Sequence, residues 1–154
     1  MLINFLVGLP VIVLCVMLQA VFLALCARRY VALRRKMNAS PSRAGDVRLL
    51  SMVMVVMLIG NYVQMALWAA LFLLLGEFND FTTALYFSGV TFATLGYGDV
   101  VLSPQWRLLS PLEAANGILM FGVSTAIMTA AVLDLIKQNA SGEQEKHSRQ
   151  AIDE

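Results

Sequence analysis

Charge, histidine and cysteine are all scarce in this sequence. Of 154 residues, 14% are charged, two are cysteine and one is histidine. That histidine, His147, sits in a polar C-terminal stretch, and no nucleophile–base pair of the kind that acid–base or covalent catalysis uses is evident. An enzyme is not expected. Cys15 and Cys26 fall on one helical pattern about three turns apart, too far to bridge within the chain, and read as small apolar residues in lipid or at a helix contact. The first long apolar run contains no arginine, which excludes a voltage sensor of the arginine-rich kind.

What the chain has in abundance is apolar surface. A hydrophobic fraction of 59% and a mean hydropathy of +0.74 are too high for a soluble domain, and the length leaves room for one domain. Residues 2–27 form an uncharged run, and about 20 such residues cross a bilayer. The run lacks the basic start of a signal peptide and its charges come after the apolar stretch, so it reads as a retained membrane helix, with Pro10 as a kink. Residues 49–76 form a second span. Asn61 and Gln64, one turn apart near its middle, are expected to hydrogen-bond between helices. The third span ends at Lys137 and has two competing starts. Ser103-Pro104 puts proline at the first helical position, whereas Ser110-Pro-Leu-Glu113 fits a capping box. The earlier start is favoured because it leaves a shorter irregular link before it, with Pro111 as an internal kink. The polar stretch 138–154 is a short tail, frayed or partly helical.

The net charge of +1 hides a segregation. Seven of the eleven basic residues lie between Arg28 and Arg48, where Asp46 is the only acid. The positive-inside rule puts this link in the cytoplasm and the N-terminus outside, with the C-terminal tail cytoplasmic. Between two spans, such a cluster faces anionic lipid head groups, at Arg28, Arg29, Arg34, Arg35 and Lys36, rather than nucleic acid.

Between the second and third spans the sequence changes character. Asn79 or Asp80 offers an N-cap for a helix over residues 81–93, too short to span and therefore re-entrant. Thr94-Leu95-Gly96-Tyr97-Gly98-Asp99 follows it. Glycines at alternate positions let the backbone alternate in handedness and turn successive carbonyl oxygens to one side. A ring of such oxygens can replace the hydration shell of a cation. Thr94 adds a hydroxyl, and Asp99 closes the outer end with negative charge. Irregular backbone at membrane depth is tolerable only where it is buried in protein or lines a water-filled path. The pattern therefore implies a pore.

These six residues resemble the selectivity filter of potassium channels, with leucine where valine is the familiar residue. The resemblance covers about 90 residues, from the second span to the end of the third. It implies an all-α membrane protein with three transmembrane helices, a re-entrant pore helix and a filter loop. It divides the chain into residues 1–47 (first helix and basic linker), 48–137 (pore module) and 138–154 (tail). The carbonyls of Thr94, Leu95, Gly96 and Tyr97 would coordinate K+, the permeant ion, with no other cofactor, and Gly98 would complete the alternation. One chain supplies one filter segment and a closed ring needs four, so a homotetramer with cyclic symmetry is implied. The Tyr97 ring is expected to pack on Tyr86 and Phe87. Some relatives carry a glutamate where this chain has Val90, so Asp99 is expected to lack that carboxyl partner. The setting would be the plasma membrane, or the inner membrane of a bacterium.

On the last helix Ile118, Phe121, Thr125, Met128 and Val132 recur at helical spacing. By resemblance they line the cavity below the filter, although packing alone gives the same period. Gly117 matches the family's gating hinge, and close helix packing explains it equally well. Glu113, the only acid between Asp99 and Asp134, has two readings. One is a buried carboxyl turned toward the pore helix or Gln64, for which Glu113→Gln would reduce pH dependence between roughly pH 4 and 8. The other is a simple capping-box residue. A weakly selective cation channel and a non-conducting scaffold with a pore fold are the alternative functions.

Overall fold

The computed structural model describes the backbone of residues 1–37 and 43–153 and the side chains of residues 1–35 and 44–137. Four helices follow in order: α1 (Leu2–Met37), α2 (Arg43–Leu74), α3 (Phe81–Phe92) and α4 (Leu109–Asp153). Three stretches are long and apolar enough to cross a membrane, Leu2–Arg35, Ala44–Leu74 and Leu109–Lys137. The described residues contain no strand.

α1 passes through Pro10 without a break and runs ten residues beyond its apolar stretch. Arg28, Arg29, Arg34 and Arg35 therefore ride on a helix rather than in a link. Arginine is a good helix former, and cations suit the negative end of the helix dipole. The Lys36 and Arg43 side chains, and residues 38–42, lie outside the described residues. Backbone beyond Lys137 stays helical to Asp153, with its side chains, His147 included, outside the described set.

Each helix end near residues 94–99 has a local cause. α2 stops at Gly76, whose φ of 73° is left-handed; the Gly76 amide donates to the Leu73 carbonyl at 3.0 Å and the Glu77 amide to Phe72 at 3.0 Å, a Schellman closure. α3 starts where Asp80, in extended backbone, accepts from the Thr83 amide at 2.8 Å. That bond holds the exposed Asp80 carboxyl below the ordinary carboxylate range. α4 begins at Leu109, five residues later than the favoured start. Residues 103–110 instead form successive tight turns, with Trp106 donating to Ser103 at 3.1 Å and Leu109 to Trp106 at 2.8 Å. Ser103, the cap a helix from Pro104 would need, is bound to Glu77, and Trp106 is buried beneath. Pro111 then falls in the first turn of α4, where its missing N–H costs nothing.

The main core lies at the end of the helices that carries residues 94–99. It joins Trp68 and Phe72 of α2, Phe87 and Phe92 of α3, Leu109 and Met120 of α4, and Cys15 of α1, with Leu102 and Trp106 from the link after the filter. Phe87 meets Phe72 edge-on at 5.2 Å, and the tilted ring of Phe78 at 5.3 Å. In lipid such contacts stabilise mainly by close packing, because the solvent is as apolar as the core. A second cluster at the opposite end joins Cys26, Val53, Met57 and Ala131. Both cysteines are buried and free, in separate clusters.

α1 also bonds to the rest of the subunit along its length. Asn4 donates to the Gln105 carbonyl at 3.0 Å. Gln64 donates to Gln19 at 2.8 Å, and Gln19 reaches Ser124 of α4 at 3.4 Å. Tyr30 donates to Asp134 at 2.7 Å, and Arg34 pairs with Asp46 at 3.0 Å. Gln64 is thus the interhelical amide its position predicted; Asn61, buried one turn away, makes no such bond among the described residues, so the expectation holds for one of the two amides.

Candidate functional site

The stretch after α3 is shaped by its backbone. Thr94, Gly96 and Gly98 have φ of 60°, 57° and 77°, so every second residue is left-handed. The two glycines adopt this freely. Thr94 does not: a β-branched residue there costs about 1–2 kcal/mol. The turn that forces it is tied by bonds from the Thr94 amide to Thr91 (2.9 Å) and from the Leu95 amide to Val90 (2.9 Å). Sequence reading anticipated the glycines and missed Thr94, since nothing in the residue type announces the conformation.

Residues 94–99 are all exposed in the single subunit. Among the described residues, no protein donor reaches the carbonyl oxygens of Thr94, Leu95, Gly96, Tyr97 or Gly98. Five consecutive acceptors without a protein donor need water or a cation as partner.

Side chains behind this stretch fix its outer end. The Tyr86 hydroxyl donates to Asp99 at 2.7 Å. This bond lowers the Asp99 carboxyl below its usual range and raises the Tyr86 phenol above its own. Tyr86 therefore takes the place of the carboxyl partner that Val90 cannot supply; sequence reading assigned it to Tyr97 instead. Within one chain the Tyr97 ring is exposed, and no aromatic ring among the described residues stacks on it. Phe87 is turned away, into the core.

Glu77 is a support that sequence reading did not single out. Its two carboxylate oxygens accept from the Ser103 amide and hydroxyl, each at 2.7 Å. The end of α2 is thereby bonded to the link that carries the chain away from the filter. The signal was an acid just past a helix-ending glycine, too common to be diagnostic.

α4 approaches the end of α3 through Gly117. A methyl group added there would collide with the Phe92 backbone carbonyl, whereas one at Gly122 would meet nothing within 4 Å. Gly117 thus seats the end of the pore helix, which favours close packing over the hinge. Phe121 meets Phe92 edge-on at 5.6 Å, and Ile118 and Thr125 are exposed. Met128 packs against the second cluster with α1 and α2. Glu113 is fully buried and contacts Ser88 of α3 at 2.5 Å. Its carboxyl serves no capping box on Ser110, although the helix starts near there. Of the two readings, the structure has the buried one.

Of the basic residues, Arg28 and Arg35 line one open face of α1 with Ala27, Val31 and Ala32. Arg34 is instead committed to Asp46.

The profile of the Ion channel family matches residues 52–134, more than half the chain. The chain belongs to this family, which comprises two-transmembrane channels of potassium-channel type. It is a multi-pass membrane protein of a channel family, not an enzyme family. Comparison with characterised proteins and with solved structures gives no match. The matched residues begin inside α2 and end inside α4, leaving α1 outside the shared module.

Proposed function

We propose that four copies of this chain form a potassium-selective channel, with residues 94–98 facing a common axis. The observation that carries this is the run of unclaimed carbonyls on a backbone of alternating handedness. Four copies would present stacked rings of oxygens from Thr94, Leu95, Gly96 and Tyr97, with the Thr94 hydroxyl at the inner end. Dehydrated K+ would pass between rings, each ring replacing lost water. Asp99 concentrates cations at the outer mouth, and the C-terminal end of α3 directs partial negative charge toward the inner one. Ile118, Phe121 and Thr125 would line the cavity beneath.

The filter mouth and the N-terminus face outside, and the arginine-bearing ends of α1 and α2 face the cytoplasm, where Arg28 and Arg35 meet anionic head groups. The membrane is the plasma membrane, or the inner membrane in a bacterium. The test is flux. Purified protein in liposomes should carry potassium, and its reversal potential in mixed potassium and sodium should follow potassium. A reversal potential indifferent to the two ions would leave a weakly selective cation channel; no flux would leave a scaffold.

A further inference from the structure

Glu113 sits where four helices meet. Ser88 of α3 contacts its carboxyl, Cys15 of α1 lies close enough to interact with it, and Trp68 of α2 and Asn116 of its own helix adjoin that cysteine. Cys15 is the only other titratable group among them, and no cation pairs with Glu113 among the described residues. Its carboxyl has one partner, the Ser88 hydroxyl, at 2.5 Å; the second oxygen has none among the described residues.

Ser88 Oγ makes a second contact, to the Met65 backbone carbonyl on α2 at 2.8 Å. A serine hydroxyl carries one hydrogen, and a carbonyl can only accept. The hydrogen that lies between Ser88 and Met65 must therefore be the serine's own. The hydrogen between Glu113 and Ser88 must then come from Glu113. The length of the Glu113 contact does not decide this; the second bond does. If Glu113 were ionised, Ser88 would have to donate to it. Two bare acceptors would then face each other at the Met65 carbonyl, and a fully buried charge would be left with one oxygen unpartnered.

We propose that Glu113 retains its proton at neutral pH and donates it to Ser88, a positioning residue for the filter through the directed chain Glu113 to Ser88 to the Met65 carbonyl. The chain ties α4, α3 and α2 together. Ser88 lies two residues before Val90, whose carbonyl holds the Leu95 amide at the start of the filter. A shift of α3 against α2 and α4 would break the chain and carry that turn with it. The proposal rests on the filter reading for its functional arm only.

Infrared difference spectra of reconstituted protein test the proton directly. At neutral pH the wild type should show a protonated-carboxyl stretch that is absent in Glu113→Gln and shifted in Ser88→Ala. Conduction tests the positioning role. Glu113→Gln keeps a donor and should retain potassium preference and sustained current. Glu113→Leu and Ser88→Ala should each shift the balance between conducting and collapsed filters by up to about tenfold, the worth of one buried hydrogen bond. If Glu113→Leu does not assemble, Ser88→Ala, which removes a single oxygen, carries the test. Absence of the acid band in wild type overturns the proposal. So does wild-type current decay in both Ser88→Ala and Glu113→Leu. A wild type that passes no potassium overturns the channel reading, while the infrared result still decides the proton.

Discussion

Glu77 and Ser103 are joined by two hydrogen bonds, from the Ser103 amide and hydroxyl to the two oxygens of one carboxylate, each 2.7 Å long. They lie on either side of α3 and the filter, so this pair closes the segment that contains both. Hydrogen bonds to a charged group contribute about 1.5–3 kcal/mol. Glu77→Ala should lower the thermal midpoint of the assembled protein and speed the decay of potassium current. Ser103→Ala, which keeps the amide donor, should have the smaller effect in both measurements. Equal effects would mean that the backbone bond contributes little.

The filter backbone gives a sharper expectation. Gly96 and Gly98 are left-handed, and alanine there costs about 1–2 kcal/mol in each subunit. Gly96→Ala and Gly98→Ala should abolish potassium-selective flux while leaving insertion and helix content unchanged. Normal selectivity in Gly96→Ala would remove the carbonyl reading.

The Tyr86–Asp99 bond predicts a response to acid. The Asp99 carboxyl is depressed in the folded state, mainly by the Tyr86 hydroxyl. Its contribution to stability is therefore present above the unfolded carboxylate range and is lost as pH falls through the folded value. Tyr86→Phe removes the donor and should move the Asp99 titration upward, toward that of a free carboxylate. Loss of current on acidification should then begin at higher pH. Following Asp99 by NMR in wild type and variant checks the direction; an unmoved titration would mean that Tyr86 does not hold it.

Gly117 and Gly122 separate packing from hinging. Gly117→Ala should disrupt the filter base and reduce selective current, because the added methyl meets the Phe92 carbonyl. Gly122→Ala meets nothing and should stabilise α4 by up to about 1 kcal/mol. Selectivity lost only at Gly117 supports the packing role. Slowed opening with intact selectivity there would restore the hinge.

Much of this fold is legible in the residues, for identifiable reasons. Hydropathy marks the spans because lipid tolerates little else, and Asp80 and Gly76 announce helix ends because their chemistry is local. The start of α4 is not legible in the same way. Ser103-Pro104 has the form of a helix start, but Ser103 is taken by Glu77, a residue 26 positions away. Tyr86 and Val90 make the same point. Reading them against the family suggested that Asp99 loses a partner, whereas the phenol reaches it from the next turn of α3. Glu113 was recognisable as an unusual acid; its partner Ser88 was not, since one serine in an apolar helix carries no distinguishing pattern.

The attachments of α1 bear on how such a subunit can be taken apart. Gln64 and the Gln105 carbonyl both find their partners on α1, as does Asp134 at the far end. A chain beginning at Arg48 would keep every residue the family shares, yet would leave the Gln64 amide bare in hydrocarbon, where an unsatisfied polar group costs several kcal/mol. Such a truncated chain should insert but fail to form a stable tetramer in detergent, and Gln64→Leu should partly restore it. Polar groups inside the shared module take their partners from α1, so removing that helix without also replacing those groups leaves the interior unsatisfied.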